Sequence, residues 1–95
     1  MTTNDHENRA RDRKAFLMHQ AIRAMVLVIA PKMHPQDLAQ RVAKFGDAEW
    51  RAVELLAGTR ESGELTRNQV FATFQDEADD ATNAELAAVN RERTA

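Results

Sequence analysis

The residues able to do chemistry are few and scattered. The three histidines, His6, His19 and His34, stand apart. No two share the i, i+4 spacing that aims a pair of imidazoles at one metal, and there is no cysteine to join them. Ser62 is the only serine and has no nearby histidine, so a serine triad is not expected. Glu49 and Glu54 can in principle act as acid and base, but their neighbours are those of an exposed helix face, with nothing to raise a pKa. No glycine-rich phosphate loop is present. With no tyrosine and one tryptophan there is little to stack bases. These absences predict a protein that is not an enzyme and uses no metal or cofactor.

Charge is the stronger signal. From Gln75 to Ala95 six acids (Asp76, Glu77, Asp79, Asp80, Glu85, Glu92) face two bases (Arg91, Arg93), while the only large apolar residues are Leu86 and Val89. The preceding 74 residues are net positive, so this segment alone makes the chain acidic. A segment with so few anchors either wets a surface or meets a basic partner through carboxylate–Arg or carboxylate–Lys contacts. Asp76, Glu77, Asp79 and Asp80 are therefore candidate protein-binding residues. Trp50 is a further candidate, because tryptophan is enriched at binding hot spots, although its expected place is the core against helix 1.

A second cluster, Arg9, Arg11, Arg13 and Lys14, is interleaved with Asp5, Glu7 and Asp12. It is a candidate contact for phosphate or for an acidic partner. It can alternatively sit beside the acidic end of the last helix and neutralise it.

Two resemblances centre on Gly63. Gly63-Glu64-Leu65 between two helices resembles the middle of an EF-hand loop. With Gly63 as its sixth position, the ligand positions fall on Gly58, Arg60, Ser62 and Gln69. Calcium needs several carboxylate oxygens there, and this loop lacks them. Leu55-Leu56 followed by Gly63-Glu64-Leu65-Thr66 and Val70 is similar to the helix–turn–helix rhythm of winged-helix regulators. Such a regulator continues into a helix rich in Arg, Lys, Ser and Gln. Here Gln75 to Asp80 follows, and carboxylates repel phosphates. A second turn, Leu38 to Leu56 around Gly46, carries Asp47 and Glu49 at its second helix and is equally unsuited to DNA. Ordinary helical hairpins are the expectation.

The elements that must position these residues are helical. Seventeen alanines, three glycines and two prolines favour helix over sheet. Helix 1 is expected from Asp5 to Ala30, with Asn4 and Glu7 as a capping box and Pro31 as its stop. Its first apolar stripe is Ala15, Met18, Ile22, Met25 and Ile29; Leu17, Ala21, Ala24 and Val28 make a second beside it. From Ala24 to Ala30 the helix is apolar all round, so this end is expected to be buried on most sides. Helix 2 is expected from Pro35 to Phe45, with Gly46 as terminator. Helix 3 runs from Ala48 to Ala57 with Asp47 as cap, and its inward face is Trp50, Val53, Leu56 and Ala57. A polar turn from Thr59 to Leu65 leads to helix 4, capped by Thr66 with Gln69 closing the box and anchored by Val70, Phe71 and Phe74. Beyond Phe74, one long helix with a frayed end and two pieces restarting at Thr82 or Asn83 both fit.

The fold expected is all-α: one domain over 1–95, a small bundle of four to five helices with a long N-terminal helix and an acidic, fraying C-terminal helix. Its core spans about 15–74, flanked by a charged start (1–14) and an acidic segment (75–95). Met18, Met25 and Met33 are expected to be left over as an adaptable contact surface, which suits a homodimer. No signal peptide or membrane span is legible, so the expected location is the cytoplasm. The function expected is that of a non-enzymatic protein-binding modulator or inhibitor. In general character, with no shared motif, the chain is similar to small acidic accessory proteins of phages and mobile elements, anti-CRISPR inhibitors among them. The alternative expectation is a DNA-associated transcriptional regulator using the basic start of helix 1.

Overall fold

A computed structural model describes residues 2–59 and 62–94, with side chains over 8–59 and 62–93. Arg60 and Glu61 of the expected turn lie outside the described residues, as do the side chains of Asn4, His6 and Glu7. The chain forms four helices: α1 (Thr2–Ile29), α2 (Pro35–Ala43), α3 (Asp47–Ala57) and α4 (Gly63–Thr94), with no strand among the described residues.

Local chemistry accounts for most of the boundaries. α1 begins at Thr2, so Asn4 lies inside it rather than at its cap, and it ends just before Pro31 as expected. Pro35 opens α2, and the residue before it supplies the cap: His34 Nδ1 accepts the Gln36 N–H at 3.0 Å. α2 stops at Ala43, two residues early, because the Lys44 and Phe45 N–H groups reach back only three residues, to Arg41 and Val42. The cap of α3 is Gly46 rather than Asp47. The Glu49 carboxylate accepts the Gly46 N–H at 2.6 Å, which draws Asp47 into the first turn. Gly58 ends α3 at φ 70°, where a side chain is strained, and its N–H bonds to Leu55 O.

α4 departs furthest from expectation. It starts at Gly63, so Thr66 is an interior residue, buried against the core, and Gln69 donates to Asp12 of α1 at 2.7 Å instead of closing a box. It then runs unbroken to Thr94, and the restart at Thr82 or Asn83 does not occur. Alanines at 81, 84, 87 and 88 favour the helix, and Arg91 and Arg93 complement the dipole at its end.

All four helices contribute to one core. It holds Ala15, Met18, Ala21, Ile22 and Val26 of α1, Leu38, Ala39 and Val42 of α2, Trp50 and Val53 of α3, and Val70, Phe74 and Ala78 of α4. Six of these, Phe74, Met18, Ile22, Val42, Val53 and Val70, are fully buried. Each such side chain stabilises the fold by about 1.5–3 kcal/mol relative to exposure.

α1 and α4 run parallel. Asp12 lies beside Gln69, and further along both helices His19 lies beside Glu77. This order places the basic start of α1 next to the start of α4, not next to its acidic end, so the expected neutralisation of one by the other does not occur. The helices around α1 cover only one arc of it. Its second stripe is therefore largely open, with Leu17 36% and Val28 82% exposed and Ala24 exposed. The all-apolar end is not buried on most sides either: Val26 is buried, but Ile29 is 81% exposed. Met18, Met25 and Met33 do not form one contact surface: Met18 is fully buried, Met33 packs on the core and Met25 is open. No helix among the described residues is long and apolar enough to cross a membrane.

Candidate functional site

The acidic run becomes two different surfaces once it is helical. Successive residues turn by about 100° around an α-helix. Phe74 and Ala78 face the core, each 1% exposed. Asp76, Asp79 and Asp80, at relative spacings of three and four, share the opposite side and are all exposed. Glu77 lies between them in sequence but turns inward. It accepts from His19 Nε2 at 2.8 Å and from Arg23 at 3.4 Å, binding α4 to α1. His19 is itself buried and stacks on Phe74 with ring centroids 4.4 Å apart. Glu85 is likewise engaged, accepting from His34 Nε2. His34 Nδ1 accepts the Gln36 N–H while Nε2 donates to Glu85, so one imidazole both caps α2 and bonds to α4. Among the described residues, Asp76, Asp79 and Asp80 have no ion-pair partner; Asp79 accepts only from Gln75 Nε2 at 3.3 Å.

Trp50 is a core residue, 8% exposed. It meets Phe45 edge-on at 5.3 Å, and the Arg67 guanidinium lies 5.8 Å from its ring centre. With Phe45, Phe71 and Val42 it floors a cleft between α2, α3 and the start of α4. The basic candidates do not converge. Arg9 and Arg13 are exposed while Arg11 and Lys14 are half-buried, and steps of about 100° spread the four around α1 instead of along one face.

The tertiary structure also builds a polar cluster that the sequence reading missed. Glu54, expected on an exposed face, is 7% exposed. It accepts hydrogen bonds from Ser62 Oγ at 2.8 Å and from Arg67 at 3.1 Å. Arg67 also reaches Asp47 at 3.2 Å, and Asp47 pairs with Arg51 at 2.9 Å. Burial pushes the Glu54 carboxyl up, but the hydrogen bonds from Ser62 and Arg67, with the Arg67 charge, outweigh it and hold its pKa below the usual carboxylate range. Burial pulls the Arg67 guanidinium down; Glu54 and Asp47 more than offset that and raise it. Both groups are thus locked in their charged forms. Their hydrogen bonds tie α3 to α4. Glu49 is occupied as the capping carboxylate of α3.

One signal for this cluster was present in the sequence. The inward face of α3 is Trp50, Val53, Glu54 and Ala57, with Leu56 58% exposed. Glu54 is one turn beyond Trp50, on the same face. A comparison with protein-family models, curated proteins and solved structures found no match for the chain.

Proposed function

We propose that this chain is a non-enzymatic protein-binding modulator, an accessory or inhibitor protein of the kind phages and mobile elements carry, acting through the outer face of α4. One observation carries the reading: Asp76, Asp79 and Asp80 are exposed together on a continuous helix, opposite Phe74 and Ala78, and without cations of their own among the described residues. A helix fixes the spacing of such carboxylates before binding, which lowers the ordering cost on docking. A basic protein surface would be steered by their field and held by charge-assisted hydrogen bonds. The clamped Glu54–Arg67 pair fits a protein without acid–base chemistry. The scatter of Arg9, Arg11, Arg13 and Lys14 around α1 disfavours the DNA-associated reading.

The test is capture of partners from a host lysate by the tagged protein, with and without nuclease, alongside the Asp76→Asn/Asp79→Asn/Asp80→Asn variant. A stoichiometric protein partner that survives nuclease and is lost with the triple variant supports the proposal. A partner retained by that variant overturns the acidic-face assignment. Recovery only of material lost with nuclease favours the DNA-associated reading. Glu77→Gln is the control, since it loosens α1 from α4 without changing the outer face.

A further inference from the structure

We propose that α4 pairs antiparallel with α4 of a second copy, about a two-fold axis passing between Ala78 and Asp79. The basis is a stripe along one side of α4, adjacent to the face that packs on α2, whose chemistry is complementary to its own reversal. Glu64 and Arg93 stand at its two ends, both exposed, and neither has an ion-pair partner among the described residues. Phe71 and Leu86 come next inward; Phe71 is half-buried and Leu86 is 57% exposed. Gln75 and Thr82 follow, closest to the centre. The midpoint of the helix Gly63–Thr94 coincides with the centre of this pattern.

Reversing α4 on itself sets Glu64 of one copy opposite Arg93 of the other, twice per dimer. It sets Phe71 opposite Leu86 and Gln75 opposite Thr82. Every contact occurs twice, as an isologous interface requires. The apolar contact has a receptor already formed. Phe71 lies in the cleft floored by Phe45, Trp50 and Val42, and the chain leaves this cleft open. Its natural occupant is the outer end of a second α4, where residues 83–93 are exposed and carry Leu86 and the 44% exposed Val89. Opposing helix dipoles favour the antiparallel direction. The two Asp79 carboxylates flank the axis, and this like-charge approach weakens the pairing. The open stripe on α1 has no comparable charge complement and is left out of the interface.

The charge pair distinguishes this arrangement from any effect within one chain. Glu64 and Arg93 are separated by about 43 Å along the helix, so they cannot meet in the monomer. Sedimentation velocity on the purified full chain, from low micromolar to several hundred micromolar, reads the dimer directly. The wild type is expected to dimerise within that range. Leu86→Asp is expected to raise the dissociation constant at least ~30-fold, because it sets a charge into the aromatic cleft. Circular dichroism checks its fold, which exposure of Leu86 in the single chain should preserve. Glu64→Arg and Arg93→Glu are each expected to weaken the dimer about tenfold. The double exchange is expected to restore it. A wild type that stays monomeric throughout, a dimer indifferent to Leu86→Asp, or a double exchange without recovery each overturns the proposal. Because no other protein is present, these results are independent of the partner capture described above.

Discussion

Arg67→Met tests whether the buried cluster at the α3–α4 junction is the clamp that its geometry describes. The change keeps most of the side-chain volume and removes the guanidinium that meets Glu54 at 3.1 Å and Asp47 at 3.2 Å. Asp47 is largely in water, so its loss costs little. Glu54 is the consequential partner, because it is left as a buried carboxylate with only Ser62 to satisfy it. Breaking a buried pair from one side costs about 3–5 kcal/mol. Here the Arg67 side chain keeps 22% exposure and the Ser62 hydrogen bond survives, so the loss expected is about 2–3 kcal/mol. Against a total of about 5–10 kcal/mol for a domain of this size, that is a large fraction. Urea denaturation followed by fluorescence of Trp50, the only tryptophan and a neighbour of Arg67, measures it. The double variant Glu54→Gln/Arg67→Met should recover part of the loss, since no buried charge remains. The pH dependence gives a second reading. Glu54 has a lowered pKa in the fold, so its stabilisation is present above the unfolded carboxylate range, about pH 4.3, and is lost as pH falls through the folded value. Without Arg67, burial instead favours the neutral acid, and the gap between wild type and Arg67→Met should narrow as pH falls from 7 towards 4. A loss below about 1 kcal/mol with no narrowing would refute the clamp.

Three other substitutions probe the rest of the fold. Ile22→Asp places an unpaired charge at a position of 0% exposure and should abolish cooperative unfolding, seen as a lost thermal transition by circular dichroism. His34→Ala removes both the α2 cap and the bond to Glu85. It should cost about 1 kcal/mol and speed amide exchange in residues 83–93 relative to the α1 core, measured by hydrogen–deuterium exchange. Val28→Lys alters a residue of the second α1 stripe that is 82% exposed, so its stability should stay within about 0.5 kcal/mol of wild type. A larger destabilisation there would mean that the stripe is covered.

Of the candidate site, the sequence made the acidic run legible but not its division. Asp76, Asp79 and Asp80 point outward while Glu77 joins His19 and Arg23, because helical rotation and the position of α1 separate neighbours in the chain. Glu54 and Arg67 were invisible as a pair. They are thirteen residues apart on different helices, and only the packing of α3 and α4 brings them together.

What the sequence determined by itself was mostly local. Alanine content and the scarcity of β-branched runs set the helical class. Pro31, Pro35 and Gly58 placed breaks, because a missing N–H group and left-handed backbone act within one turn. The apolar spacing of Met18, Ile22, Val70 and Phe74 chose the inward faces. The tertiary structure alone decided the direction in which helices meet and how much of each is covered. Parallel packing of α1 on α4 set the basic start of one beside the neutral start of the other. Coverage of a single arc of α1 left Leu17 and Val28 in the open. Both outcomes depend on contacts between residues far apart in the chain, more than fifty positions apart where α1 meets α4, and an apolar side chain carries the same local pattern whether or not a partner helix arrives to cover it.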